Sequence, residues 1–266
     1  MSRIACAIAA GMRIRQFVFI AFFFSLLGLS VGAQAKDWPA PIKALEAQGI
    51  EVLATFDAPG GLTGYAAVLE HQPIALYLTA DGTHVIVGPM FDNKGSNVSE
   101  EPLDRLVSKP LTDKTWKQLE ASNWIADGSK KAPRVVYVFT DPNCPYCNKF
   151  WNDARPWVKA DKVQLRHVMV GILGPTSPGK AAALLAAKDP AAALSQHELQ
   201  QTSGGLKPLN PIPAEVRAQL DANFRLMGQL GSPATPTIFY KDARGRLQKM
   251  QGAPSAEMVS QILGPR

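Results

Sequence analysis

Cysteine is scarce in this chain: three residues in 266, at positions 6, 144 and 147. Four histidines, His71, His84, His167 and His197, are scattered along it, and there is no second CxxC. A zinc centre, which wants about four ligands, has little to draw on. Lys and Arg are dispersed rather than blocked, so the chain carries no nucleic-acid footprint. Past residue 35 no apolar run reaches the roughly twenty residues that a membrane span requires. Internal repeats are absent as well.

The first thirty-five residues read as a leader. Arg3, Arg13 and Arg15 form a positive start, residues 17–29 (FVFIAFFFSLLGL) an apolar run, and Ala33-Gln34-Ala35 a small-residue cleavage site. That order is a secretory signal peptide. The alternative is a retained anchor, for which thirteen or so apolar residues are short. Cleavage after Ala35 leaves 231 residues and lowers the net charge from +6 to +3, because three arginines leave and no acid does. Cys6 leaves too. An exported chain with one close cysteine pair does not use disulfides as a framework.

Along the rest of the chain, residues 37–48 predict a short amphipathic helix with Pro39 and Pro41 in its first turn, stopped by Gly49. Residues 50–56, 65–69, 74–78 and 84–87 predict strands, with Asp81-Gly82 as a hairpin signal. A core of about sixty residues is marginal, and dimerisation is one remedy. The polar stretch 91–99 reads as a hinge. Two helices are expected at 101–108 and 112–124, the second capped by Thr112. Residues 134–140 (RVVYVFT) predict a buried central strand. A helix over 145–158, kinked or shortened by Pro156, follows. Then come a strand at 163–172 and helices at 180–188, 191–201 and 214–230. A hairpin of 237–240 and 247–251 and a closing helix at 255–263 complete the order. β-α-β, helical insertion, β-β-α describes a thioredoxin-type fold.

Cys144 falls where a strand ends and a helix begins. Unpaired N–H groups and the positive end of the helix dipole stabilise a thiolate there. Its pKa is expected below the usual ~8.5, in the range of about 3.5–7.5. Pro145 is tolerated in the first turn. Cys147, one turn on, is placed to resolve a mixed disulfide formed at Cys144. Three duller readings stay open: a structural disulfide, whose short loop gives only ~2 kcal/mol; half of a zinc site; and two inert thiols. Ala234-Thr235-Pro236-Thr237 precedes a strand. An ordinary trans proline is unremarkable there, but a cis form would expose the Thr235 backbone to an extended substrate. Placement after a CxxC in this element order favours the cis form.

Phe56-Asp57-Ala58-Pro59-Gly60-Gly61, Tyr77-Leu78-Thr79 with Asp81-Gly82, Tyr137-Val138-Phe139 before Asp141-Pro142, Cys144-Pro145-Tyr146-Cys147, Arg155-Pro156-Trp157-Val158 and Val163-Gln164-Leu165-Arg166 together carry a family signature. The chain resembles the DsbC/DsbG group of periplasmic thioredoxin-fold proteins, nearest its DsbG branch because Pro-Tyr rather than Gly-Tyr separates the cysteines. The lack of a second disulfide in the catalytic domain points the same way.

The resemblance implies a mixed α+β and α/β architecture. A signal peptide (1–35) precedes a cystatin-like dimerisation domain (36–97), a helical linker (98–131) and a thioredoxin-like domain (132–266) with its helical insertion around 176–231. It implies a V-shaped homodimer, Cys144 as nucleophile, Cys147 as resolving cysteine, and Pro145, Tyr146, Thr235 and Pro236 as substrate-binding residues. Exported proteins with cysteines are the implied substrates, and a DsbD-type membrane protein the reductant; no metal or cofactor is implied. Thioredoxins carry a buried Asp where this chain has Val138, so the proton of Cys147 needs water or another group as its acceptor. Reduction or isomerisation of disulfides is the expected activity, with reduction of a sulfenic acid available to the same thiolate. The rivals are a DsbA-like oxidase, which the N-terminal extension disfavours, and a holdase chaperone.

Overall fold

The computed structural model describes residues 37–70 and 72–265. The leader and His71 lie outside them. The first helix, α1 (Ala40–Glu46), starts behind Pro39 and buries Ile42. Four antiparallel strands follow, β1 (Glu51–Asp57), β2 (Thr63–Leu69), β3 (Gln72–Leu78) and β4 (Val85–Val87), paired in chain order. Asp81 fits the expected turn, accepting from Thr83 N at 3.1 Å beside Gly82 at φ 70°. Phe56 and Tyr77 meet edge to face at 5.8 Å.

Residues 91–99, expected as a hinge, form a loop closed by its own hydrogen bonds. Asp92 accepts from Lys94 N and Ser96 N, both at 2.8 Å, and Val98 N returns to Met90 O at 2.9 Å. The fully buried Ser99 hydroxyl bonds Tyr77 and receives Met90 N. The polar side chains that suggested solvent close the loop on itself.

The two expected helices are one run. It comprises α2 (Glu100–Leu103), a π-helical turn (Asp104–Ser108) and α3 (Lys109–Glu120). Pro110 has no N–H to donate, and the turn just before it closes i to i−5, from Lys109 N to Asp104 O. Thr112 is therefore no cap: it lies inside the helix, and its hydroxyl accepts from Leu247 N at 3.0 Å. Trp124 does not end a helix either; it opens a strand missed in the sequence, β5 (Trp124–Asp127).

The second sheet has the order β5-β7-β6-β8-β9. β6 (Arg134–Thr140) is central, parallel to β7 (Val163–Met169) and antiparallel to β8 (Thr237–Lys241); β9 (Leu247–Gln251) closes one edge. Alternate residues of β6 serve different layers. Val136 and Val138 pack under α4 (Pro145–Lys159) and α8 (Ala256–Leu263), with Phe150, Trp157 and Ile262. Tyr137 and Phe139 pack with Leu119 of α3 and Met227 of α7 (Ala214–Gln229). With α5 (Ser177–Leu185) and α6 (Pro190–Leu199), α7 makes a further core around Met169, Leu184 and Leu194.

Pro156 does not shorten α4, which runs on to Lys159. The ~3 kcal/mol cost of an interior proline is offset by burial of Ala154, Trp157 and Val158 on either side. Trp157 also donates to Gly264 O at 2.8 Å. The strand expected to reach residue 172 stops at Met169, which leaves Ile172 and Leu173 in the loop between β7 and α5.

Candidate active site

Cys144 is the N-cap of α4, with extended backbone angles (φ −84°, ψ 110°) and Pro145 at the first helical position. An N-cap side chain faces the unpaired amides of the first turn. Here the acceptor is sulfur, which receives Cys147 N–H at 3.2 Å. On its other side lies the carbonyl of Thr235, 3.4 Å away, to which the thiol donates. The Thr235–Pro236 peptide is cis, as the element order favoured. Both cysteines are unbridged. Cys144 is 1% exposed and Cys147 2%, whereas Tyr146 between them is 62% exposed. A partner must therefore press into the groups that cover the sulfur.

The two thiols are pushed apart electrostatically. A hydrogen bond from the Cys147 thiol, together with donation from Thr235 and from the Cys147 and Tyr146 amides, lowers Cys144 to about 6 against the opposing effect of burial. Burial above all, and then the Cys144 sulfur itself, drive Cys147 well above the ordinary thiol value. Thr235 Oγ1 is buried without a hydrogen-bond partner, yet it lies close enough to lower both sulfurs. The hydroxyl is free to donate to a Cys144 thiolate. The arrangement supports one nucleophilic sulfur and one proton-holding sulfur, the division that a two-step exchange requires. Val138 is buried in the strand core at 1% exposure and supplies no acid.

Sequence reasoning passed over Asp141. Its carboxylate is fully buried and accepts four hydrogen bonds: Asn143 N and Ser177 Oγ at 2.8 Å, Ile172 N at 2.6 Å and Leu173 N at 2.9 Å. Its carbonyl receives Cys144 N at 3.0 Å. One side chain thus ties the turn before the cysteines to the loop after β7 and to the start of α5. Asn143 adds bonds to Thr176, Ser177 and Lys180 at 2.8–2.9 Å. An Asp ahead of the motif is visible in the sequence; its burial, and the partners at Ile172, Leu173 and Ser177 more than thirty residues away, are not. Ile172 (37% exposed) and Leu173 (53%), in the loop that Asp141 ties to the motif, are exposed apolar groups, as is Tyr146.

Among the described residues no group of three or more His, Cys, Asp or Glu is gathered to hold a metal. A cavity of 360 Å³ lined by Thr112, Thr115, Leu230, Phe239 and Leu247 lies elsewhere, and neither cysteine lines it.

Residues 125–265 match the family of thioredoxin-like domains, and residues 32–100 match the N-terminal domain of disulfide bond isomerase proteins. The chain is 52% identical over 252 residues to thiol:disulfide interchange protein DsbG of Pseudomonas aeruginosa, covering 95% of this chain and 98% of that one. The chain belongs to the DsbC/DsbG family. Its likeness to DsbG of Escherichia coli is 44% over 236 residues, 87% of this chain and 94% of that one. To DsbC of Dickeya dadantii it is 26% over 228 residues, 82% and 85%. These identities favour the DsbG side of the family, in line with Pro145-Tyr146 between the cysteines. No described helix is long and apolar enough to cross a membrane.

Proposed function

We propose that this chain is an exported thiol:disulfide interchange protein that reduces or isomerises disulfides in other exported proteins. The observation that carries the reading is a cysteine sulfur capping a helix, 3.2 Å from the Cys147 amide and 3.4 Å from the cis-proline loop. The Cys144 thiolate attacks one sulfur of a substrate disulfide. The substrate S–S bond breaks, a Cys144–substrate disulfide forms, and the other substrate sulfur leaves as thiolate. In isomerisation a substrate thiolate attacks the mixed disulfide and Cys144 is released unchanged. In reduction Cys147 gives up its proton to solvent and attacks the Cys144 sulfur. The substrate leaves with both sulfurs reduced, and the Cys144–Cys147 disulfide holds the two electrons' worth of oxidation. With a substrate sulfenic acid, the first step instead expels hydroxide. No cofactor enters these steps.

Pro145, Tyr146, Thr235 and Pro236 are proposed to bind substrate. The Thr235 backbone would pair with an extended segment and Tyr146 would lie against it. The proposed organisation is a signal peptide at 1–35, a dimerisation domain at 36–97, a linker at 98–131 and a catalytic domain at 132–266 with its insertion around 176–231. A periplasmic homodimer, kept reduced by a membrane dithiol donor of the DsbD type, completes the reading.

The test is trapping. Cys147→Ala cannot resolve, so it should accumulate mixed disulfides with exported proteins that Cys144→Ser does not form. Equal recovery from both variants would refute the mechanism.

A further inference from the structure

The insertion helices reach the cysteine motif through a contact that the exchange chemistry above does not use. The end of α6 and the 3-10 turn after it (Gln201–Ser203) hold three successive parts of the motif. Gln201 Nε2 donates to Cys144 O at 3.1 Å and to Pro142 O at 3.2 Å. His197 Nε2 donates to the same Pro142 O at 2.7 Å. Asn148, the residue after Cys147, donates from Nδ2 to the carbonyl of Glu198 at 2.7 Å and to its carboxylate at 2.8 Å. The turn before Cys144, Cys144 itself and the first turn of α4 are all held from one side.

Each bond is built in rather than incidental. His197 is fully buried, and Leu206 N–H donates to its Nδ1 at 3.1 Å. Nδ1 is therefore the acceptor, and the ring hydrogen belongs on Nε2, aimed at Pro142. Gly205 makes room for that ring: with φ 61°, a Cβ there would lie 2.4 Å from Nδ1. The Cys144 carbonyl already accepts Asn148 N at 3.2 Å, so Gln201 fills its second lone pair. Of the residues whose side chains donate these bonds, Gln201 and Asn148 are only partly buried, and Gln201 is the one of the two that bonds the Cys144 carbonyl, so its hydrogen bonds can be removed without opening the core.

We propose that Gln201 is a positioning residue for thiol exchange, holding the Pro142 and Cys144 carbonyls so that the reduced, ionised form of the pair is favoured. The inference rests on the function proposed above. Its electrostatic logic is direct. The two amide bonds fix the backbone before and at Cys144, and so hold its sulfur 3.2 Å from the Cys147 N–H, a donor that favours the thiolate. The disulfide carries no charge and gains nothing from that donor. Removing the Gln201 bonds destabilises the reduced form and shifts the equilibrium toward the disulfide. A hydrogen bond of ordinary net strength corresponds to a change of about three- to tenfold.

The experiment measures the equilibrium of the full exported chain with glutathione, and the thiolate titration of Cys144, in the natural protein, Gln201→Leu, Gln201→Glu and Gln200→Leu. Gln201→Leu should move the equilibrium about three- to tenfold toward the disulfide and raise the Cys144 midpoint. Gln201→Glu should move both further in the same direction, because a carboxylate then faces two carbonyl oxygens. Gln200→Leu, at an exposed position, should match the natural protein. The proposal is overturned if both Gln201 variants match the natural chain while that chain exchanges normally. A natural chain that forms no disulfide with glutathione would instead refute the function on which the proposal rests.

Discussion

Cys144 and Thr235 lie ninety-one residues apart in the chain, yet the Cys144 sulfur is 3.4 Å from the Thr235 carbonyl oxygen. The contact joins the start of α4 to the cis-proline loop ahead of β8, two segments that neighbour each other only because β6 and β8 pair in register from Tyr137–Phe239 to Phe139–Thr237. The loop is fixed on its far side by Thr237 Oγ1 to Ala234 O at 2.6 Å and by Gly252 N to Pro236 O at 2.8 Å. The sheet, not the loop alone, therefore sets where the thiol meets its neighbour.

Replacing Thr235 with Val separates two effects of the same hydroxyl. Thr235 Oγ1 is buried and unpartnered, so at about pH 5 or below, where Cys144 keeps its proton, a methyl in its place should leave stability unchanged or raise it by up to about 1 kcal/mol. The same change removes a donor from the thiolate, so the Cys144 midpoint should move upward from about 6. Urea unfolding and thiolate titration on one preparation check both. A downward shift of the midpoint would contradict the assignment of Thr235 as donor.

Stability of the reduced protein should depend on pH with a definite sign. Cys144 titrates near 6 when folded, against 9.0 for an ordinary thiol, so between these values the unfolded chain binds a proton that the native chain does not. Stability then rises with pH across that window and is lost as pH falls through 6. From pH 6 to pH 8 the gain should be about 2 kcal/mol. Cys147, held well above the ordinary value mainly by burial, acts oppositely once pH exceeds 9. Denaturation midpoints of reduced protein and of Cys144→Ser across this range test the slope, which should be absent from the variant.

Asp141→Ala should destabilise the fold by about 3–5 kcal/mol, because it leaves four donors without their acceptor, at Asn143, Ile172, Leu173 and Ser177. Asp141→Asn keeps the shape but turns a donor toward backbone N–H groups, and should cost a substantial part of the same amount. Chemical denaturation measures both. A loss below about 1 kcal/mol for the alanine variant would show that water replaces the carboxylate.

What the sequence made legible was local. A β-branched run ending in Asp-Pro-Asn-Cys, a proline in the next turn and a second cysteine three residues after the first are read within a dozen positions, and the strand–cysteine–helix junction follows from them. Thr235-Pro236 was readable only in combination, because a proline before a strand has no meaning until the element order assigns it one. Tertiary partners stayed hidden. Nothing in Thr112 announces that its hydroxyl serves Leu247 N instead of a helix start. Four residues, Trp124 to Asp127, read as helix end and boundary until β7 supplies the ladder that makes them a strand. Pro156 read as a kink or an early stop because the packing of α4 against β6 and α8 is invisible in its own window. The α6 contacts at His197, Glu198 and Gln201 came with no signal, since each is a single polar residue whose partner lies about fifty or more positions away.

The central claim is that Cys144 is ionised near neutrality while Cys147 keeps its proton. Thiolate ultraviolet absorbance of the fully reduced chain, titrated from acid to alkaline pH alongside Cys144→Ser, measures it directly. One thiolate should appear with a midpoint near 6, and it should be missing from the variant. A midpoint near the free-cysteine value of about 8.5, or a low-pH thiolate that survives Cys144→Ser, would contradict the account.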